Sequence, residues 1–347
     1  MRKNLIVGGA GFIGTALAKS LGEETVTIFD NFSSVSHSDI SIKEAVRSEA
    51  EVIVGDVTNR GSVTTLFEAG TPENVFYLAA ETGTGRSLTN CGLNATVNTV
   101  GIANFLDVMA ALTEKPKYVA LTSTRAVYGE GPYTSSDSKV VYPSQRGASD
   151  LEKCQFEFSD LHPLKVHGGV HQSNPCNVYG ATKLSQEHLL SVWASSYEVP
   201  YSIIRYQNVY GAGQSLTNPY TGILIHFIKQ ILSKNTVEVY EQGGITRDFV
   251  HVLDAASLLK RCSEVKPGGV VFDCGSGVRV DLEHVAGTLC EIGNAKKPVR
   301  VNKYRLGDVR HACADISAAA KITDWVPTVD LTDGLVDLFK SAKERLV

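Results

Sequence analysis

The chain has 347 residues, is 43% hydrophobic and 20% charged, and carries a formal net charge of -4 at pH 7. That length buries a large core and suits two intimately packed lobes, and the balance leaves no basic excess to hold a nucleic-acid backbone or an acidic membrane surface. The opening MRKNLIVGGAGF breaks at Gly8 and Gly9, too early for a signal-peptide core, and no stretch approaches the roughly 18 apolar residues that span a bilayer. Cys91, Cys154, Cys176, Cys262, Cys274, Cys290 and Cys313 are scattered, odd in number and free of a close CxxC pair. They read as free thiols in a reducing, cytoplasmic compartment, and no metal is expected.

In chain order, β-rich runs at residues 4–7, 25–29, 52–54, 75–78, 118–122 and 201–204 alternate with helical runs at 12–21, 60–69, 97–111 and 179–197. This alternation predicts βαβ units in an α/β fold, a Rossmann-type doubly wound parallel sheet with its ligand crevice at the strand C-termini. Residues 129–177 break the rhythm, rich in Ser, Pro and Gly, and are expected to form an insertion near the active site. Tyr133, Tyr142, Phe156, Phe158 and Leu161 offer it apolar anchors for settling on the C-terminal lobe, which would make it a lid over the ligand, against the alternative of a disordered surface loop. After Tyr210 short strands and helices mix, ending in an amphipathic helix over 333–346, which reads as a smaller C-terminal α+β lobe. The expected division is therefore a dinucleotide-binding unit over 1–210 and a mainly substrate-binding lobe over 211–347, with some of its segments returning to the first.

Residues 4–14, NLIVGGAGFIG, join a strand to a helix through glycines. Gly8 and Gly9 permit the tight turn, Gly11 lets backbone approach a pyrophosphate, and Gly14 allows close helix packing, with the helix N-terminus facing the anion. The second strand ends at Asp30, sixteen residues after Gly14. A carboxylate there accepts hydrogen bonds from ribose hydroxyls and repels a 2′-phosphate, which selects NAD over NADP. Asp56, in GDV after the third strand, suits either the adenine edge or the cap of the next helix.

Further along, Tyr179 and Lys183 form a YxxxK pair on one helix face. The lysine's charge lowers the phenol's pKa and its amine holds the cofactor ribose, so a phenolate can remove a hydroxyl proton while hydride leaves the same carbon. The fifth strand ends in LTSTRAVYG, placing Thr124, with Ser123 in support, where a substrate oxygen would sit; local turn bonding is the plainer role for both.

Taken together, GGAGFIG, Asp30, YLAAETG, LTSTRAVYG, YGATK, RYQNVYG and RDFVHV, in that order over essentially the whole chain, resemble the nucleotide-sugar epimerase/dehydratase branch of the extended short-chain dehydrogenase/reductases. AETGTG, RAVYGEG, the long insertion before YGATK, and RYQNVYGAGQSLTNPYTGI followed by EQGGITRDFVHV are most similar to the 4-epimerases of dTDP-6-deoxyhexoses. The resemblance implies Tyr179 as acid/base, Lys183 as its partner and Thr124 as the hydroxyl on the sugar oxygen. It implies NAD contacts at Gly8, Gly11, Phe12, Ile13 and Gly14, at Asp30, Asn31, Asp56 and Val57, at Leu78, Ala79, Ala80, Asn98 and Thr122, and at Tyr179, Lys183 and Tyr206. For the nucleotide sugar it implies Thr82, Thr124, Asn208, Arg247, Arg305 and Asp308, and for the assembly a homodimer built on helices flanking the sheet. Leu106, Val108, Leu189, Leu190 and Trp193 are candidates for that interface or, equally, for core. Two departures stand out: Val7 replaces the usual Thr before the glycine turn, and the insertion holds only Cys154 and Cys176 in place of paired CxxC cysteines.

Dehydratases of this family follow the threonine with an Asp-Glu pair that eliminates water; Arg125 and Ala126 occupy those places here and cannot do that work. The expected reaction is therefore C4 epimerisation through a transient 4-keto sugar with retained NAD. A net reductase or dehydrogenase and a non-catalytic NAD-binding sensor are the rival readings.

Overall fold

The computed structural model describes residues 3–22, 25–33, 50–216 and 222–346; part of the run quoted above, residues 217–221, lies outside them. Seven of the described strands form one parallel sheet: β1 (Asn4–Val7), β2 (Val26–Asp30), β3 (Glu51–Val54), β4 (Asn74–Tyr77), β5 (Tyr118–Thr124), β6 (Tyr201–Tyr206) and β7 (Val270–Cys274), in the order β7-β6-β5-β4-β1-β2-β3. Covered on both faces, the inner strands are buried almost throughout and mostly apolar, not alternating. In β1, Leu5 and Val7 pack on one face with Phe29, Phe105 and Leu190, while Ile6 packs on the other with Leu17, Leu258 and Phe272. The helices that supply those faces are α1 (Phe12–Leu21), α2 (Arg60–Phe67), α3 (Gly101–Ala111) and α4 (Val178–Ser196). A π-helical turn over Ala95–Val100 precedes α3, where the sequence reads as uniform α-helix. Strand order reverses between β1 and β4, which opens the crevice at their C-termini.

A third core belongs to the C-terminal part, where Phe227 of α5 (Ile223–Leu232), Leu289 of α7 (Leu282–Ile292) and Leu338 of α8 (Leu331–Leu346) meet. Three elements after residue 210 return to the sheet: β7 forms one edge, α6 (Val252–Val265) covers the face that α1 covers, and the short helix Ser317–Thr323 sets Ala319 into the same core.

The insertion is an ordered unit. Tyr133–Ser135 pairs antiparallel with Val140–Val141 on one side and Leu161–Pro163 on the other. Tyr133 and Phe156 are buried, Tyr142, Phe158 and Leu161 partly so. Buried charge binds it to the C-terminal part: Arg146 donates to Glu241 Oε2 at 2.6 Å, to Glu130 Oε1 at 3.2 Å and to the Asp308 carbonyl at 2.8 Å. The disordered-loop alternative therefore falls.

Of the candidate interface residues, Leu106, Val108 and Leu190 are buried in the sheet core, and Leu189 and Trp193 pack against it. The exposed apolar side chains on these segments and the stretch just before the first are instead Leu88, Leu93, Val100, Val192 and Tyr197.

Candidate active site

One cavity of about 800 Å³ runs along the C-terminal ends of the central strands, from Asp30 and Asp56 at one end to Thr124, Tyr179 and Asn208 at the other. Its floor is the glycine turn. Gly8 has φ +79°, and a Cβ there would lie 2.7 Å from the Ala79 amide nitrogen; one on Gly14 would lie 2.6 Å from the Gly9 Cα. Any side chain at either position would therefore push α1 or the β4 loop off the turn. Gly11 caps α1 without a side-chain hydrogen bond, so the helix's first amides remain available to an anion.

Asp30 is nearly buried and receives the Ala10 amide at 3.0 Å and the Phe32 amide at 2.9 Å, which fixes its carboxylate at the cavity wall. Asp56 lines the cavity too, receiving Asn31 Nδ2 at 2.8 Å and the Thr58 amide at 2.8 Å. It does not cap α2: Asn59 does, through the Ser62 amide, which removes the capping alternative.

At the other end, β5 carries Thr124 on its last residue and α4 carries Tyr179 and Lys183 on its first two turns. Asn177 caps α4 by accepting the Gly180 amide at 2.8 Å. Gly180 seats the helix against the turn that follows Thr124, since a Cβ there would lie 2.5 Å from the Ala126 carbonyl. Burial pushes the Tyr179 phenol up, while the Thr124 hydroxyl and Arg125 guanidinium pull it down. Burial drives the Lys183 ammonium down to about 7, against the pull of Glu187. Its Nζ donates to Gln186 Oε1.

Most residues named from the sequence come together on this cavity. Gly8, Gly11, Phe12, Ile13, Gly14, Asn31, Val57, Leu78, Ala79, Ala80, Thr82, Thr122, Tyr206 and Asn208 line it with those already described. Four do not. Asn98 is buried behind the wall, where it pairs with both backbone groups of Glu81 and donates to Thr182 Oγ1 at 2.9 Å. Arg247 is buried and spends its guanidinium on the carbonyls of Thr246, Val309 and Arg310. Arg305 is exposed over the Tyr240 ring, and Asp308 reaches Arg146 through its carbonyl. Nor does any residue of 129–177 line the cavity, so the insertion stands beside it and not across it.

Sequence reading missed Glu187, which receives Ser123 Oγ and both Arg205 Nε, at 3.0 Å, and Arg205 Nη2, at 2.7 Å. It sits one helical turn after Lys183, a spacing that places it on the same buried face. Gln207 and Arg125 also line the cavity. Among the described residues no group of three or more His, Cys, Asp or Glu is placed to hold a metal, and no helix is long and apolar enough to cross a membrane.

The cavity fits NAD: unsatisfied helix amides face the expected pyrophosphate, a fixed carboxylate faces the ribose, and small backbone-exposing residues lie between. With a hydroxyl, a phenol and an amine at the far end, this is the site of an enzyme that moves hydride and proton at an alcohol carbon. Comparison with known proteins narrows the class. The family model for GDP-mannose 4,6 dehydratase matches residues 5–145, and that for the NAD dependent epimerase/dehydratase family matches residues 162–275. The dTDP-L-rhamnose 4-epimerase of Burkholderia thailandensis is 38% identical over 97% of this chain and 94% of its own length. A UDP-glucose 4-epimerase of Mycolicibacterium smegmatis is 27% identical over 99% of this chain and all of its own. The crystal structure of UDP-glucose 4-epimerase from Thermotoga maritima with UDP-glucose superposes with a TM-score of 0.82 at 26% identity, covering 99% of this chain and 100% of that one. The chain therefore belongs to the NAD-dependent epimerase/dehydratase family, and within it to the nucleotide-sugar 4-epimerases.

Proposed function

We propose that the enzyme interconverts C4 epimers of a dTDP-6-deoxyhexose, with dTDP-L-rhamnose as its substrate or product. The observation that carries this reading is the meeting of Thr124, Tyr179 and Lys183 at one end of the cavity whose other end holds Asp30. The 38% identity to the B. thailandensis enzyme, spread over 97% of the chain, supports the choice of sugar.

In this reading Gly8, Gly11 and the first amides of α1 hold the pyrophosphate of NAD, and Asp30 its adenosine ribose. Thr124 Oγ1 holds the C4 oxygen. Tyr179 Oη takes the proton of the C4 hydroxyl and later returns it to the same oxygen. NAD held there would supply the acceptor for the C4 hydride and its donor for return to either face of the 4-keto sugar. Lys183 stands one helical turn below the tyrosine, where it orients the nicotinamide ribose and lends Tyr179 positive charge. Asn208, at the start of a strand beside Thr124, contacts the diphosphate. Residues 1–210 serve the cofactor and most of 211–347 the nucleotide sugar. The exposed Leu88, Leu93, Val100, Val192 and Tyr197, on the helical segments flanking the sheet, supply a homodimer interface. Scattered free thiols support a cytoplasmic enzyme.

Incubating the purified enzyme with dTDP-L-rhamnose and following the sugar by NMR tests the reading. Appearance of the C4 epimer, dTDP-6-deoxy-L-talose, without net accumulation of NADH supports it. Accumulating NADH makes the protein a dehydrogenase instead, and no change with any nucleotide sugar removes the catalytic reading.

A further inference from the structure

Glu187 lies two turns after Tyr179 and one after Lys183 on α4, yet it faces no ligand: it is 3% exposed and forms no part of the cavity wall. Its oxygens are spent on two strands. Ser123 Oγ, near the end of β5, donates to Oε1, while Arg205 on β6 donates from Nε to Oε1 at 3.0 Å and from Nη2 to Oε2 at 2.7 Å. Ser123 and Arg205 are partners in register, so one carboxylate joins the helix to both strands. Arg205 also lies over the Tyr128 ring, 4.6 Å from its centroid, and the Tyr128 hydroxyl is fixed on the Asp273 oxygens of β7 at 2.9 and 3.1 Å.

These contacts bracket the reacting hydroxyl. Ser123 immediately precedes Thr124, and Tyr128 closes the turn that follows it, so both flanks of Thr124 end on the Glu187–Arg205 pair. On the helix side, Gly180 meets the Ala126 carbonyl and Glu187 meets Ser123, two contacts about 10 Å apart along the axis of α4. One point of contact leaves a helix free to pivot, whereas two fix its angle and its slide. Tyr179 stands next to the first point and Lys183 between the two. Stability alone does not call for a buried acid and base here, since an apolar pair of similar volume packs as well or better. What the charged pair adds is direction, through a forked guanidinium and a hydroxyl that each accept only one geometry.

We propose that Glu187, braced by Arg205, is a positioning residue that locks α4 to the end of β5 and so sets the distance and angle between Thr124 Oγ1 and Tyr179 Oη. It touches neither sugar nor cofactor and acts through Ser123. The inference rests on the nucleotide-sugar reading, in which those two hydroxyls meet at one sugar oxygen.

Ser123→Ala removes the link to the strand and leaves the Glu187–Arg205 pair in place. Proton and hydride transfer need near-contact geometry, so kcat of the NAD-loaded enzyme should fall about 10–100-fold while KM stays within about 2-fold. Ser123 also lines the cavity, and a second variant separates positioning from direct contact with a ligand. Glu187→Ala should lower kcat at least as far, and the double variant no further than Glu187→Ala alone, because both changes remove the same link. A hydroxyl that acted on the ligand itself would raise KM and give losses that multiply. Arg205 keeps the Ser173 hydroxyl, at 3.0 Å, and the Tyr128 ring in the absence of Glu187. Glu187→Gln, which keeps an oxygen for Ser123, should hold kcat within about 5-fold of wild type although it melts lower for want of a counter-charge to Arg205, and with Ser123→Ala it decides the matter if Glu187→Ala does not fold. Wild-type kcat in Ser123→Ala, a raised KM, multiplying losses, or a Glu187→Gln protein as slow as Ser123→Ala overturns the proposal. Turnover of the unmodified enzyme is measured first, with dTDP-L-rhamnose and with UDP- and GDP-hexoses: none with any of them refutes the nucleotide-sugar reading and this inference with it, whereas turnover that the variants leave unchanged refutes this inference alone.

Discussion

Replacing Lys183 by Met should destroy catalysis and stabilise the protein. Burial lowers the ammonium's pKa from 10.5 to about 7, because neither solvent nor an adjacent free carboxylate compensates the charge. A shift of that size corresponds to a ceiling of ~5 kcal/mol, and local relaxation leaves an expected cost of ~2–4 kcal/mol. The sign follows from proton counting. Between pH 7 and 10.5 the unfolded chain binds a proton that the folded chain refuses, so wild-type stability rises with pH through that window, and the whole cost is felt below about pH 7. Urea unfolding of the cofactor-free protein at pH 6.5 should therefore show Lys183→Met ahead by about 1–3 kcal/mol, after allowing ~1 kcal/mol for the Gln186 oxygen left without a donor. By pH 9.5 the lysine's cost should fall to between about a third and about six-tenths of its value at pH 6.5. A variant no more stable than wild type at pH 6.5, or a difference that does not change with pH, would refute the buried-cation argument, whatever the activity does.

Three further outcomes are expected. Tyr179→Phe should reduce turnover by roughly 10²–10⁴-fold with NAD content unchanged in the purified protein; near wild-type turnover removes the phenol as acid/base. Asp30→Ala should weaken NAD binding and narrow the preference over NADP, measured by cofactor titration; equal binding of the two cofactors by the unmodified protein contradicts the role given to the carboxylate. Arg146→Met takes one partner from each of the buried Glu130 and Glu241, which keep the Arg310 amide and the Arg310 guanidinium, and should cost about 2–3 kcal/mol, with residues 129–177 becoming the first site of proteolysis; a change under about 1 kcal/mol would show that the insertion is held by its apolar contacts alone.

The cofactor half of the molecule was legible because its signals are local. Strand, glycines, helix, second strand and Asp30 follow one another within about thirty residues, and each element's periodicity matches its position in the sheet. Boundaries moved by a residue or two, as at β5, which extends to Thr124. The substrate half was less legible for a geometric reason. Arg146 meets Glu241 across 95 positions and the Asp308 carbonyl across 162, and no local pattern encodes such pairs. Arg247 sits in a motif that suggests anion binding, yet its donors are absorbed by three backbone carbonyls. The charged contacts that hold the insertion escaped notice for the same reason, since they lie on the far lobe.

Charge is distributed in two ways inside this protein, and the contrast separates framework from site. Away from the cavity, each buried guanidinium discussed here is paired with acid or carbonyl, Arg205 with only its Nη1 left over: Arg205 with Glu187, Arg146 with Glu130 and Glu241, and Arg310 with Glu241 and Glu157. At the cavity that rule is broken. Glu187 is the carboxylate that most favours a charged Lys183, yet Ser123 and Arg205 hold its oxygens, and the lysine is left to an amide. Arg125 likewise has Asn208 for a partner where framework arginines have carboxylates. A framework pair of one acid and one base would have been more stable in both places, so the sequence accepts a cost where ligands will later supply the missing contacts. A fully paired Lys183 would be a worse neighbour for Tyr179, because a carboxylate beside it would cancel the positive charge that the phenolate requires. Carboxylates are thus excluded from contact with the reacting tyrosine, while Asp30 and Asp56 stand at the far end of the cavity, where the adenosine and not the reaction is held.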